Sequence, residues 1–298
     1  MFRNLGFIWQ EQKEMTNKFK KIIQSESFKA IAAAVLCAVI GILIGYIILL
    51  VISAPNATKA MQTILKNFMY FRKPHQRLYY FGSTLAKSVP MVLCALSVLF
   101  AYKAGLFNIG VGGQYCLAIG VSLYCALGLH LPWWLCAIIA MLASAGWGAI
   151  VGCFKAFCSV NEVIACIMMN WISLYIVNIM MHHENVMNFT LSESYQIKNI
   201  SPQSLIPSLG LSKLFHDNEY VTIAIPLTII IAILINIVLD KTTFGYELKA
   251  TGYNKNAAKY AGMKEKLNII LTMAIAGALA GLASAFYYLT DIQQWKTS

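Results

Sequence analysis

The chain has 298 residues, of which 59% are apolar and only 12% are charged. A soluble domain carries roughly a quarter charged residues and half or fewer apolar ones, so a soluble enzyme and a disordered chain are both excluded. The net charge of +11 suits basic loops beside anionic lipid, and no nucleic-acid module accompanies it, so no nucleic-acid partner is expected.

Residues 1–29 precede the first apolar run. Within them Met15, Phe19, Ile22 and Ile23 recur at helical spacing among lysines. Two readings stay open: an amphipathic helix on the inner membrane surface, or a solvated, frayed terminus. The run at 30–54 is too long and starts too far into the chain for a cleavable signal peptide, so it reads as a retained anchor. Further runs without Asp, Glu, Lys or Arg cover 88–102, 104–154, 163–183, 220–239 and 267–290. A spanning helix needs about 20 apolar residues. The run at 104–154 is long enough for two, turning at Gly128–Pro132.

The expectation is an all-α integral membrane protein with seven spans and a broken or re-entrant Gly-rich segment. Residues 30–290 form its transmembrane domain, 240–266 its cytoplasmic loop and 291–298 a short tail. The second span, 88–102, is short, with Lys87 and Lys103 placed to snorkel. Basic loops put the N-terminus in the cytoplasm of a multi-pass plasma-membrane protein, although Lys59, Lys66, Arg72, Lys73, Arg77 and Lys87 then fall outside.

Three stretches carry the polar and glycine residues. The first, 104–114, holds four glycines with Asn108 and Gln114 between two spans. It reads either as irregular backbone beside a transport path or as a tight cytoplasmic turn with glycines chosen for positive φ. The second is 161–170. Asn161 can cap the helix that Glu162 opens, while Asn170 lies mid-span, where an amide should face the bundle or a cavity. Asn178 and Asn236 invite the same argument. The third is 244–263. Asn254 reads as the N-cap of a short helix whose small face, Ala257, Ala258 and Tyr260 among it, docks on a partner protein or lies on lipid. The pairs Gly41-x3-Gly45, Gly148-x3-Gly152 and Gly277-x3-Gly281 permit close helix packing.

No P-loop, H-E-x-x-H or G-x-S-x-G occurs, so the chain is read as no enzyme, without its own ATPase site. Cysteines form no C-x-x-C pair, and His182-His183-Glu184 lacks a third ligand spacing, so no metal site is assigned. Carboxylates and basic residues are absent from the centres of spans, which favours a polar, uncharged solute.

The stretches Phe107–Gln114, Asn161–Asn170 and Gly252–Gly262 stand in the order and spacing of F-N-I-G-x-x-G-Q, N-E-V-I with I-M-x-N, and G-x-N-x-x-A-A-x-Y-A-G. Together they resemble the permease subunits of ATP-binding-cassette importers for nucleosides and simple sugars, nearer the nucleoside branch. The resemblance implies a fold like that of the vitamin-B12-type importers, here C-terminally shortened by about two helices. It implies cytoplasmic ATPase subunits that hold ATP and Mg, with no cofactor in this chain. A second permease, identical or paralogous, and an extracellular substrate-binding lipoprotein are the other partners. It places Asn108, Gln114, Asn161, Glu162 and Asn170 along the substrate path. Gly252, Asn254, Ala257, Ala258, Tyr260 and Gly262 would couple to the ATPase. A carboxylate usual in the family is Gly112 here, and its Asn-Pro is Asn254-Lys255. The function expected is nucleoside uptake by alternating access. A simple-sugar permease and an ATP-independent secondary carrier are the alternatives, and a membrane enzyme ranks last.

Overall fold

The computed structural model describes residues 25–296, so the amphipathic reading of Met15–Ile23 lies outside the described residues. Ser25 opens the first helix, α1 (Glu26–Lys66), by accepting the Phe28 amide at 3.2 Å. The helix is broken at Ser53 (φ −157°, ψ 82°), two residues before Pro55. Proline lacks an amide proton and crowds the preceding turn, which accounts for the break. The expected anchor at 30–54 therefore ends at the kink, and the chain continues as helix instead of entering a loop. The residues up to Tyr70 form one compact unit and Phe71–Ser298 a second.

The second unit begins with α2 (Pro74–Lys103). Its Pro74 sits at the first helical position, where the missing amide costs nothing. The expected short span of 88–102 is thus corrected to a helix of 30 residues. Charge misled the reading: Arg77 and Lys87 interrupt the apolar run, yet Gly82, Ala86, Val89 and Leu93 recur at helical spacing and are all buried. Then follow α3 (Val111–Leu123), which ends in a π turn over Tyr124–Gly128, α4 (Trp133–Cys158) and α5 (Glu162–Met181).

A polar loop comes next, with a two-residue hairpin, β1 (Met187–Asn188) and β2 (Glu193–Ser194), and two single turns, α6 (Ile197–Ile200) and α7 (Leu211–Leu214). The chain closes with α8 (Ala224–Lys241), α9 (Thr243–Tyr253), α10 (Lys255–Tyr260) and α11 (Glu265–Tyr288). Among the described residues, seven helices are long and apolar enough to cross a membrane. The protein is a polytopic, all-α membrane protein.

The second unit is arranged around α11, which packs on α4, α2 and α3. Two glycine pairs make its seam with α4. A Cβ built on Gly148 would lie 2.2 Å from the Met273 carbonyl oxygen, and one on Gly277 would lie 2.3 Å from that of Ser144. Gly152 and Gly281 meet backbone of the facing helix at 2.8 and 2.9 Å. In hydrocarbon there is no hydrophobic drive between helices, so close backbone approach supplies the attraction. Gly41 and Gly45 share the spacing, yet no described atom lies within 4 Å of either built Cβ.

The connections gather at two ends. At one, Asn218 donates to the Tyr79 carbonyl at 2.7 Å and to Ser83 Oγ at 2.8 Å, which seats the polar loop on the first turns of α2. Asp291 accepts the amides that open α6 at 3.3 and 3.2 Å, and Trp295 pairs with Ser194, so the tail closes over the hairpin. At the other end lie the α2–α3 and α4–α5 turns with α9 and α10.

Replacing Gly277 by Ala forces α4 and α11 apart. The expected loss is about 1–3 kcal/mol, the usual cost of overpacking, read as a lower Tm of the detergent-purified chain.

Candidate functional site: the glycine-rich break and its amide hub

The break between α2 and α3 begins with a tight C-cap. The Leu106 amide returns to the Ala101 carbonyl and the Gly105 amide to that of Tyr102, both at 3.0 Å, with Gly105 at φ 72°. This is a Schellman closure, which requires a residue that tolerates the left-handed region. The next residues are not helical and alternate in burial, with the Ile109 amide turned back to the Phe107 carbonyl at 3.1 Å. Leu106 and Asn108 are buried, whereas Phe107 and Ile109 are exposed.

Asn108 then turns the chain into α3 by accepting the Gly110 amide at 3.1 Å. Its carboxamide pairs with that of Gln114: Asn108 Nδ2 donates to Gln114 Oε1 at 2.9 Å, and Gln114 Nε2 donates back to Asn108 Oδ1 at 3.3 Å. The two side chains are 2% and 1% exposed, so this pairing and their few neighbours must satisfy them.

Two serines complete the hub. Ser97 of α2 accepts from Asn108 Nδ2 at 3.3 Å and donates to the Ala276 carbonyl at 2.6 Å. Ser144 of α4 stands within donor reach of the Gln114 carbonyl at 3.0 Å and the Gly277 carbonyl at 2.7 Å. One buried network thereby links α2, α3, α4 and α11.

Asn170 of α5 holds the start of α3 from outside. Its Oδ1 accepts the Gly113 amide at 2.8 Å and its Nδ2 donates to the Ile109 carbonyl at 3.2 Å. A first-turn amide has no partner within its own helix. Here a neighbouring helix supplies one, which is why Asn170 faces the bundle. A Cβ on Gly113 would sit 2.5 Å from Asn170 Oδ1 and 2.7 Å from its Cα, so only glycine permits this approach.

The expected path residues therefore divide. Asn108, Gln114 and Asn170 converge on the break. Asn161 caps α5, accepting the Val163 amide at 2.9 Å, and Glu162 pairs with Lys155 at 2.5 Å at the same helix start. Asn178 Oδ1 is buried without a partner, whereas Asn236 donates to Asp240 at 3.4 Å. His183 accepts the Asn185 amide at 3.4 Å, and the His182 ring stands edge-on to Phe189. Ser97 and Ser144 escaped the sequence reading. Their signal was a hydroxyl inside an apolar run, which in hydrocarbon must find an acceptor.

The third stretch folds as its spacing predicts. Asn254 Oδ1 accepts the Asn256 and Ala257 amides at 3.0 and 3.1 Å and opens α10. Gly262, at φ 81°, ends it with the same Schellman closure, through Met263 to the Ala258 carbonyl at 3.0 Å. Ala258 is buried, while Ala257 is exposed and Tyr260 is 93% exposed. The helix thus rests on the bundle through one side and presents the other.

The sequence model described as branched-chain amino acid transport system, permease component, matches residues 80–297. The chain belongs to this permease family. It is 35% identical over 214 residues to the guanosine ABC transporter permease NupP of Bacillus subtilis, covering 70% of this chain and 59% of that protein. It is 37% identical over 214 residues to the nucleoside ABC transporter permease NupB of Lactococcus lactis subsp. cremoris, covering 69% and 58%. A glucose ABC transporter permease of Haloferax volcanii is 28% identical over 213 residues, covering 68% and 55%. The chain thus spans under two thirds of the length of these relatives. No solved structure matches it.

The paired amides should behave as one unit. Asn108→Leu or Gln114→Leu alone leaves a buried amide without its partner, an expected loss of about 1–3 kcal/mol each. The double variant loses less than the sum, with a coupling of about 0.5 kcal/mol or more in a double-mutant cycle of detergent-purified protein.

Proposed function

We propose that this chain is the membrane permease of an ATP-binding-cassette importer that takes up nucleosides. The observation that carries the cargo is the similarity itself. The two relatives above 30% identity are named for guanosine and nucleosides, and the glucose permease follows at 28%. Apart from Lys87 in the middle of α2, charged residues are absent from the span centres, which suits an uncharged, polar solute.

Energy comes from partner ATPases in this reading, which rests on the similarity to ABC transporter permeases. The Asn254-capped helix α10 is the docking element. It has one buried alanine on the bundle side and exposed Tyr253 and Tyr260 around it. The end that bears α9 and α10 faces the cytoplasm in this reading, as Lys103, Lys155, Lys249 and Lys259 there follow the bias of inner loops, and the N-terminus is cytoplasmic as well. A second permease and an extracellular binding lipoprotein complete the importer.

The exposed side of the break, Phe107 and Ile109 with Asn170 beside it, borders the solute path. Asn108 and Gln114 hold that backbone from behind. Asn161 and Glu162 stand at the inner mouth. Alternating access moves the break and α5 as the ATPases close.

The test is uptake of labelled guanosine in cells that lack this gene, with and without the gene restored. Restoration should return uptake, unlabelled nucleosides should block it, and excess glucose should not. Uptake blocked by glucose alone contradicts the cargo, and uptake that survives ATP depletion contradicts the energy source. Ala258→Arg should abolish co-purification of the ATPase subunits, because the buried side of α10 no longer seats.

A further inference from the structure

The docking segment and the glycine-rich break meet where main chain lies against main chain, beside a buried cluster that holds Phe100, Ala104 and Leu248. A Cβ built on Gly252 would lie 2.5 Å from the Ala104 carbonyl carbon, 2.7 Å from its oxygen and 2.7 Å from the Gly105 nitrogen. Conversely, a Cβ on Gly105 would lie 2.6 Å from the Gly252 Cα and 2.7 Å from its oxygen. Neither position has room for a side chain, and the neighbour that would have to yield is backbone in both directions.

Each glycine is fixed to a different part of the mechanism. Gly252 sits near the end of α9, two residues before the cap of α10. The same end of α9 is anchored by Leu248, which is fully buried, and by Thr251 Oγ1, which accepts from Asn268 Nδ2 of α11 at 3.1 Å. Gly105 closes α2, and three residues later Asn108 enters the amide hub. A side chain at such a contact can absorb a displacement by changing rotamer. Two backbones in van der Waals contact have no rotamer to change, although both glycines lie at the surface.

We propose that the Gly105–Gly252 contact is the relay by which movement of the ATPase-docking segment reaches the glycine-rich break. This inference deepens the coupling reading above and rests on it. Gly105 and Gly252 are positioning residues in this scheme. They touch no solute, and they set whether ATP hydrolysis is converted into movement of the path.

The test uses the complete importer, purified with its ATPases and reconstituted into liposomes with its binding protein. The readout is guanosine imported per ATP hydrolysed, a ratio that a mere drop in yield does not change. Gly252→Ala and Gly105→Ala should each lower that ratio by about tenfold or more, within the range of measured allosteric couplings. A second measurement follows Phe107→Cys, placed on the exposed side of the break. Its maleimide labelling, read by mass spectrometry of that peptide, should change between nucleotide-free and ATP–vanadate states. Adding Gly252→Ala should abolish the change.

If uptake and hydrolysis fall together, so that the ratio holds, the contact is packing only and the relay is overturned. A Phe107→Cys response that survives Gly252→Ala overturns it too. If the unaltered chain retains no ATPase, the coupling reading itself has failed. That result needs no substitution to be seen, so the two failures are distinguishable.

Discussion

A polar group in hydrocarbon has no water to fall back on, and the second unit is organised around that constraint. The non-helical stretch between Ala104 and Gly110, with the first turn of α3, leaves main-chain donors and acceptors without helical partners. Asn108 answers it by accepting the Gly110 amide, Asn170 by accepting the Gly113 amide and donating to the Ile109 carbonyl. The Asn108 carboxamide must in turn be satisfied, and Gln114 and Ser97 do so. Each link is worth only about 0.6 kcal/mol on average within a membrane. Leaving one member unpaired costs several times that, so the network holds together through what breaking it would expose.

The second constraint is how near two backbones can come. The seam between α4 and α11 is set by glycines whose missing Cβ atoms would fall 2.2–2.3 Å from carbonyl oxygens. That nearness is what brings Ser144 to the Gly277 carbonyl at 2.7 Å. Glycine packing and the polar hub are therefore one arrangement: without the close seam, the serine would have no acceptor on α11. The same logic reappears at Gly105 and Gly252, where the approach joins the break to the segment that bears α10.

Several of these features were legible in the sequence. The charge-free runs gave the number of spans, because the energetic penalty for charge in lipid is large and local. Asn161 and Asn254 were legible as caps, because capping depends on residues two or three positions away. What depended on distant neighbours was not legible. Gly105 and Gly113 look alike in the sequence, yet the first answers a backbone turn and the second the approach of Asn170. Gly41-x3-Gly45 and Gly148-x3-Gly152 share one spacing, and only the second meets a facing helix among the described residues. The C-terminal half of α2 was read and its N-terminal half missed, since Arg77 and Lys87 break the apolar run while the buried stripe beside them continues.

The central claim is that the main chain of residues 106–114 is held by hydrogen bonds from side-chain amides and is not a loop hydrated by water. Amide hydrogen exchange of the protein in lipid nanodiscs tests it most directly. Protection of Gly110, Gly113 and Gln114 comparable to the centre of α11 is the predicted result, because each of these amides has an acceptor in the structure. Exchange as fast as that of the exposed turns around α7 would contradict it, and the hub would then not hold the break in place.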